Sequence, residues 1–173
     1  ANHPFGGLEG IVLGHLIQKI RPDAKFIGNY LLEHIPQMRE QLVSVNPFGG
    51  AATSNIRPIK EAINYVKEGG ALITFPAGEV SSLKLHRRRV MDGVWSPHIA
   101  AIVRHSKATV LPIYFPGRNS TLFQILGLLH PRLRTVLLPR ELMNKSDGRV
   151  KVSIGRPIPW KRMQRFDSNK SLI

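Results

Sequence analysis

Residues 56 to 82, IRPIKEAINYVKEGGALITFPAGEVSS, decide the fold class. Apolar residues recur at helical spacing through the first part, and two glycines at 69 and 70 end the predicted helix. ALITF, residues 71 to 75, follows directly as a short apolar run, which is typical of a buried strand. A helix that leads through a glycine turn into a buried strand indicates an α/β protein.

The same alternation of helix and strand patterns continues on both sides of this stretch. Helices are predicted over 7–20, 96–106 and 120–129, with a further helix over 30–38 that is broken at Pro36. Strands are predicted over 25–28, 41–45, 108–115 and 149–155. We therefore expect one α/β domain over residues 1–173, with a largely parallel central sheet flanked by helices. FPAGEVSS (75–82) and FPGRNS (115–120) both follow strands, where ligand-binding loops lie in such sheets.

Composition favours an anionic partner and excludes several kinds of chemistry. The net charge is +14, which favours nucleic acid, an acidic lipid surface or a polyanionic cosubstrate such as coenzyme A. Aromatic residues make up only 7% and form no base-stacking pattern, so no nucleic acid is expected as a partner. The lack of cysteine excludes disulfides, thiolate metal sites and cysteine nucleophiles, and it fits a reducing compartment.

ANHPFGGLEG, residues 1 to 10, contains the best candidate for a general base. A catalytic histidine needs a carboxylate behind it that fixes the tautomer, and Glu9 is near enough to reach His3. Because residues five or six apart diverge on a helix, the pair meets only where Gly6 and Gly7 bend the backbone. Local sequence leaves a second interpretation open, an exposed terminal loop. A chain seldom starts on a functional loop, so we expect a natural upstream segment.

Three ordered blocks resemble the lysophospholipid acyltransferase superfamily. NHPFGGLEG (2–10) resembles the block in which Asn-His is followed by an aspartate, and FPAGEVSS (75–82) resembles the Phe-Pro-Glu-Gly block. VLPIYFPGRNS (110–120) resembles the later strand and loop. Residues 117–159 are most similar to a branch of bacterial proteins labelled hemolysin or glycerol acyltransferase. This branch is related to the O-acyltransferases that make ornithine and glycine lipids.

The resemblance implies a role for each matching residue. His3 is the base that deprotonates the acceptor hydroxyl, which then attacks the thioester of acyl-CoA or acyl carrier protein, and Glu9 replaces the orienting aspartate. No metal and no bound cofactor are implied, since the thioester is a cosubstrate. The implied substrate-binding residues lie in the two loops that follow strands: Phe75, Pro76, Gly78, Glu79, Ser81 and Ser82, then Gly117, Arg118 and Asn119.

Departures from the superfamily pattern bear on the acceptor. Five residues instead of four separate His3 from the acid, and that acid is one methylene longer. The arginines that handle phosphate in the superfamily are replaced: Glu79 and Val80 stand in the Phe-Pro-Glu-Gly block, and Asn46 stands near an upstream arginine position. An arginine fork is the natural partner of a phosphate dianion. We therefore expect lyso-ornithine or lyso-glycine lipid as the acceptor.

Other interpretations remain open. Arg57, Lys60 or Arg118 can supply the positive charge of the replaced arginines, and the protein would then be a 1-acylglycerol-3-phosphate acyltransferase. A catalytically silent lipid-binding module would keep the same three sequence blocks. A lyso-lipid acceptor places the protein peripherally on an anionic membrane surface, at the cytoplasmic face of the plasma membrane. The leucines of residues 122–129 fit either a membrane face or a core helix.

Overall fold

The computed structural model describes residues 1–34, 36–45, 56–145 and 148–173. Eight α-helices are defined within these ranges: α1 Gly7–Gln18, α2 Ile56–Lys67, α3 Pro97–Ser106, α4 Thr121–Leu129, α5 Pro131–Val136, α6 Leu138–Met143, α7 Trp160–Met163 and α8 Asn169–Leu172. The seven strands are β1 Lys25–Asn29, β2 Leu42–Val45, β3 Leu72–Ile73, β4 Ser82–Lys84, β5 Arg89–Met91, β6 Ile113–Tyr114 and β7 Ser153–Ile154. Three 3₁₀ segments span Tyr30–His34, Pro36–Gln41 and Leu85–Arg87.

A parallel sheet with the strand order β2-β1-β3 forms the centre of the fold. Successive side chains of a strand point to opposite faces. Phe26 of β1 therefore packs on one face with Leu13 of α1, while Ile27 packs on the other with Ala62 of α2 and Ile102 of α3. Helices thus cover both faces of the sheet, which confirms the predicted α/β fold with a parallel central sheet.

Several local predictions differ from the structure. In place of the helix predicted over 30–38 with a break at Pro36, the described residues form two 3₁₀ segments, Tyr30–His34 and Pro36–Gln41, whose turns are tighter than those of an α-helix. The strands predicted over 108–115 and 149–155 are far shorter, and β6 pairs with β7 antiparallel. The β4–β5 hairpin was not predicted from the sequence. Its turn places Arg88 in the left-handed region (φ 52°), and glycine would be the usual signal for that conformation.

Among the described residues, no helix combines the length and apolar character that a membrane crossing requires.

Candidate active site

The first residues of the chain lie across the ends of two strands. The Ala1 nitrogen donates a hydrogen bond to the Thr74 carbonyl (2.8 Å), directly after β3. The Asn2 side chain binds the backbone of Phe115, directly after β6, in both directions: its Nδ2 donates to the carbonyl (2.9 Å), and its Oδ1 accepts from the N–H (2.7 Å). These contacts place His3 at the carboxyl ends of the strands, where the sequence predicted a ligand-binding site.

His3 and Glu9 come together as their spacing predicted. The His3 Nδ1 lies 3.6 Å from Glu9 Oε1, and the Glu9 side chain is fully buried. Oε1 also accepts a 2.5 Å hydrogen bond from the Phe5 N–H, which holds the carboxylate under the loop. Gly6, with φ 95°, makes the bend before α1, and a Cβ there would lie 2.9 Å from Leu138 Cδ2.

Two polar atoms of this pair are left without hydrogen bonds. Nδ1 of His3 and Oε2 of Glu9 are both buried, and no described residue bonds to either. Because 3.6 Å exceeds a hydrogen bond by about 0.7 Å, the pair needs a small inward movement to bond. Catalytic hydrogen bonds are often long in unliganded enzymes and shorten around the substrate. With Nδ1 turned to Glu9, Nε2 is the nitrogen that can accept a proton.

Burial sets the protonation of both groups. Desolvation lowers the pKa of His3 to about 4, and the nearby charge of Asp92 opposes this shift. Desolvation also raises the pKa of Glu9 to about 7, although the Phe5 N–H favours the carboxylate. His3 is therefore neutral at neutral pH, which is the form that a general base requires.

An aromatic ring contacts the imidazole, and a second carboxylate holds the backbone of His3. The His3 ring stacks on Phe75, with the ring centroids 4.4 Å apart. Asp92 Oδ1 accepts from the backbone N–H of His3 (3.1 Å) and from the Ser81 hydroxyl (2.5 Å). Trp95 Nε1 donates to Asp92 Oδ2 (3.3 Å), and the Ser81 N–H donates to the His3 carbonyl (2.8 Å). Asp92 was missed in the sequence because it lies 89 residues from His3, in a stretch that carries only a turn signal.

The turn after β3 presents a carboxylate that is paired with cations. Gly78 adopts φ 65°, and its N–H donates to the Phe75 carbonyl (2.9 Å). Glu79 Oε2 accepts a 2.6 Å hydrogen bond from Arg134 of α5, and Glu79 Oε1 lies 3.8 Å from Lys84 Nζ. Arg134 was also missed, because nothing in the sequence links α5 to this turn.

A second buried cluster contacts the backbone of the loop that carries His3. Asn119 is 2% exposed, its Nδ2 donates to the Phe5 carbonyl (3.4 Å), and its Oδ1 accepts from Lys145 Nζ (2.8 Å). Lys145 also pairs with buried Glu141 at 3.0 Å, and Glu141 accepts from the Ser120 N–H at 3.0 Å. The structure therefore places Asn119 beneath the loop, where it positions the backbone, and its predicted contact with substrate stays a prediction.

The other predicted binding residues divide between surface and interior. Gly117 and Arg118 are exposed, and Gly117 (φ 133°) leaves room for the Phe5 ring, which a Cβ would overlap. Pro76 and Ser82 are buried behind the turn. Asn46 lies outside the described residues.

Comparisons with known proteins match almost the whole chain. The family described as "Acyltransferase" matches residues 1–172. A lyso-glycine lipid O-acyltransferase of Bacteroides thetaiotaomicron is 26% identical, with 99% of this chain and 62% of the relative covered. A protein of the same name from Phocaeicola vulgatus is 25% identical, with 99% and 61% covered. The chain thus spans about three fifths of the length of these relatives. No solved structure matches the chain significantly.

Proposed function

The chain belongs to this acyltransferase family, and we propose that it transfers a fatty acyl group from a thioester to the hydroxyl of a lyso-lipid. Acyl-CoA or acyl carrier protein is the proposed donor. The observation that carries the proposal is the neutral, partly exposed His3 with the buried Glu9 carboxyl 3.6 Å behind it. This is the arrangement that general-base activation of a hydroxyl requires.

The proposed reaction is one proton-coupled displacement. His3 Nε2 takes the proton of the acceptor hydroxyl while the oxygen attacks the thioester carbonyl carbon. The new C–O bond forms, the C–S bond breaks, and the imidazolium returns its proton to the leaving thiolate, which departs as a thiol. Ionised Glu9 stabilises the imidazolium during this step, and the stacked Phe75 ring holds the imidazole in place.

The proposed acceptor is a lyso-aminolipid, with lyso-glycine or lyso-ornithine lipid favoured. Arg134 of α5 reaches the turn beside His3, but Glu79 neutralises it at 2.6 Å. A phosphate dianion would have to displace the Glu79 carboxylate and would be repelled by it. The names of the two relatives support the same acceptor class. Because such an acceptor resides in a membrane, we place the protein peripherally at the cytoplasmic face of the plasma membrane.

The test measures acceptor-dependent thiol release from acyl-CoA and from acyl carrier protein. Lyso-glycine lipid, lyso-ornithine lipid and lysophosphatidic acid are offered separately, first to the wild-type protein and then to Glu79→Gln. We expect turnover with the aminolipids and a shift towards lysophosphatidic acid in the variant, because Arg134 is then free to bind phosphate.

A wild-type preference for lysophosphatidic acid would overturn the acceptor proposal and leave acyl transfer intact. If no thiol is released with any acceptor or either donor, acyl transfer itself is overturned and a lipid-binding module is favoured.

A further inference from the structure

Helices α4 and α5 expose a row of large apolar side chains to solvent. Leu122, Ile125 and Leu129 are three and four residues apart on α4, so they share one side of the helix, and they are 41%, 52% and 72% exposed. Leu133 and Val136 continue the row on α5 at 43% and 77%. We call these five residues the α4–α5 face.

The opposite side of α4 is firmly seated in the protein. Phe123 is fully buried, and the side-chain oxygen of buried Gln124 accepts a hydrogen bond from the Leu83 N–H at 2.9 Å. The leucines of the α4–α5 face therefore cannot turn inward without breaking these contacts. The structure therefore exposes Leu122, Leu128 and Leu129, while Leu126 is half-buried.

The segment that contains the α4–α5 face carries only one sign of exposed charge, and the exposed Glu79 of the neighbouring turn is paired with Arg134 of α5. Residues 116–145, all of which the structure describes, contain a single acidic residue, Glu141, and it is 1% exposed and paired with Lys145. Arg118, Arg132 and Arg140 in the same stretch are all exposed. An apolar surface on a segment whose exposed charges are all positive is complementary to an anionic lipid surface, which receives the aliphatic side chains while its headgroups bind the arginines.

The two helices that carry the α4–α5 face are also connected to the candidate active site. The loop that leads into α4 contains Asn119, which supports the backbone of the His3 loop through Phe5. From α5, Arg134 reaches Glu79 in the turn beside His3. A protein docked through the α4–α5 face would therefore hold its acceptor turn close to the bilayer.

We propose that the α4–α5 face is the surface by which this protein docks on an anionic lipid bilayer. The inference goes beyond the proposed chemistry, because docking is measured without turnover. A nucleic acid would bind the arginines but would gain nothing from the apolar row.

The test is co-sedimentation with vesicles of phosphatidylcholine, with and without phosphatidylglycerol. Wild-type protein is expected to bind the anionic vesicles and to leave them in high salt. The double variant Leu129→Ser/Val136→Ser is expected to bind about tenfold more weakly, because two aliphatic side chains no longer enter the interface. Arg132→Gln/Arg140→Gln is expected to bind roughly 25-fold more weakly, because each lost cation costs roughly fivefold.

Matched variants elsewhere on the surface serve as controls. Ile20→Ser/Ile154→Ser removes two side chains that are 79% and 60% exposed, and Arg162→Gln/Arg165→Gln removes two exposed cations beside Trp160. Both controls should bind as the wild type does, apart from the small nonspecific effect of lost charge. Circular dichroism and Tm establish that every variant is folded.

Three results would overturn the proposal. If the wild-type protein does not bind anionic vesicles, something other than lipid covers the α4–α5 face. If the Leu129→Ser/Val136→Ser variant binds the vesicles as tightly as the wild type, binding depends on charge alone, as it would at a nucleic-acid site. If the control variants lose as much vesicle affinity as the variants of the α4–α5 face, docking occurs elsewhere or is nonspecific. Because His3→Ala should bind vesicles normally, failure of the catalytic proposal is distinguishable from failure of this one.

Discussion

Replacing Glu9 with glutamine separates the catalytic role of the carboxylate from its effect on stability. The substitution keeps the size of a fully buried side chain, and its oxygen can still accept from the Phe5 N–H. Its neutral side chain, however, cannot stabilise the imidazolium that forms when Nε2 takes the proton of the acceptor hydroxyl. We expect kcat to fall by about 10²- to 10⁴-fold.

The same substitution should stabilise the fold at high pH. Burial raises the pKa of Glu9 from 4.5 to about 7, so the folded protein retains a proton that the unfolded chain releases near pH 4.5. The free energy of unfolding therefore falls as pH rises through this window. The full difference corresponds to about 3 kcal/mol above pH 7.

Glutamine removes this cost but leaves its own amide incompletely bonded, which costs about 1–2 kcal/mol. The net gain of about 1–2 kcal/mol corresponds to a Tm increase of about 5 °C in a chain of this size. The assay is thermal unfolding of wild type and Glu9→Gln at pH values near 4.5 and above 7, with kcat measured in parallel. The gain should be confined to the higher pH. Wild-type kcat in the variant, or a Tm that falls above pH 7, would refute the reasoning.

Three further substitutions test the surroundings of the pair. Asp92→Asn removes a negative charge that favours the imidazolium. The pKa of His3, measured by NMR titration of its ring, should therefore fall below the wild-type value of about 4. An unchanged pKa would exclude this coupling. Lys145→Met leaves Glu141 buried without its cation and should reduce the free energy of unfolding by about 2–3 kcal/mol, measured by urea denaturation; a neutral result would contradict the supporting role of the cluster. Gly6→Ala should lower both Tm and kcat, because φ 95° and the contact with Leu138 oppose a Cβ, and an unaffected variant would show that the bend tolerates a side chain.

The sequence predicted those parts of the fold that depend on local pattern. The amphipathic α2 and the apolar strand after it were recognisable because each has its own period, and their alternation indicates a parallel sheet. The β4–β5 hairpin was not, since its turn lacks glycine and its strands are three residues long. The position of α4 could not be decided either, because an apolar segment has the same pattern on the surface and in the core.

The residues of the candidate site were also predicted only in part. His3 and Glu9 are six positions apart, so the glycines between them indicated that they could meet, although an exposed terminal loop remained open as an alternative. Asp92 and Arg134 reach the site from elsewhere in the chain, through contacts that span 89 and 55 residues. Such contacts arise from the packing of whole elements, and no local spacing reports them.

The central claim, that His3 is the general base of a lyso-lipid acyl transfer, is tested most directly by single-turnover thiol release with lyso-glycine lipid as the acceptor. Wild type, His3→Ala and His15→Ala are compared, since His15 is an exposed histidine on α1 and provides a matched control. The account predicts acceptor-dependent release in wild type and His15→Ala, and a loss of at least about 10²-fold in His3→Ala. Release that persists undiminished in His3→Ala would contradict it.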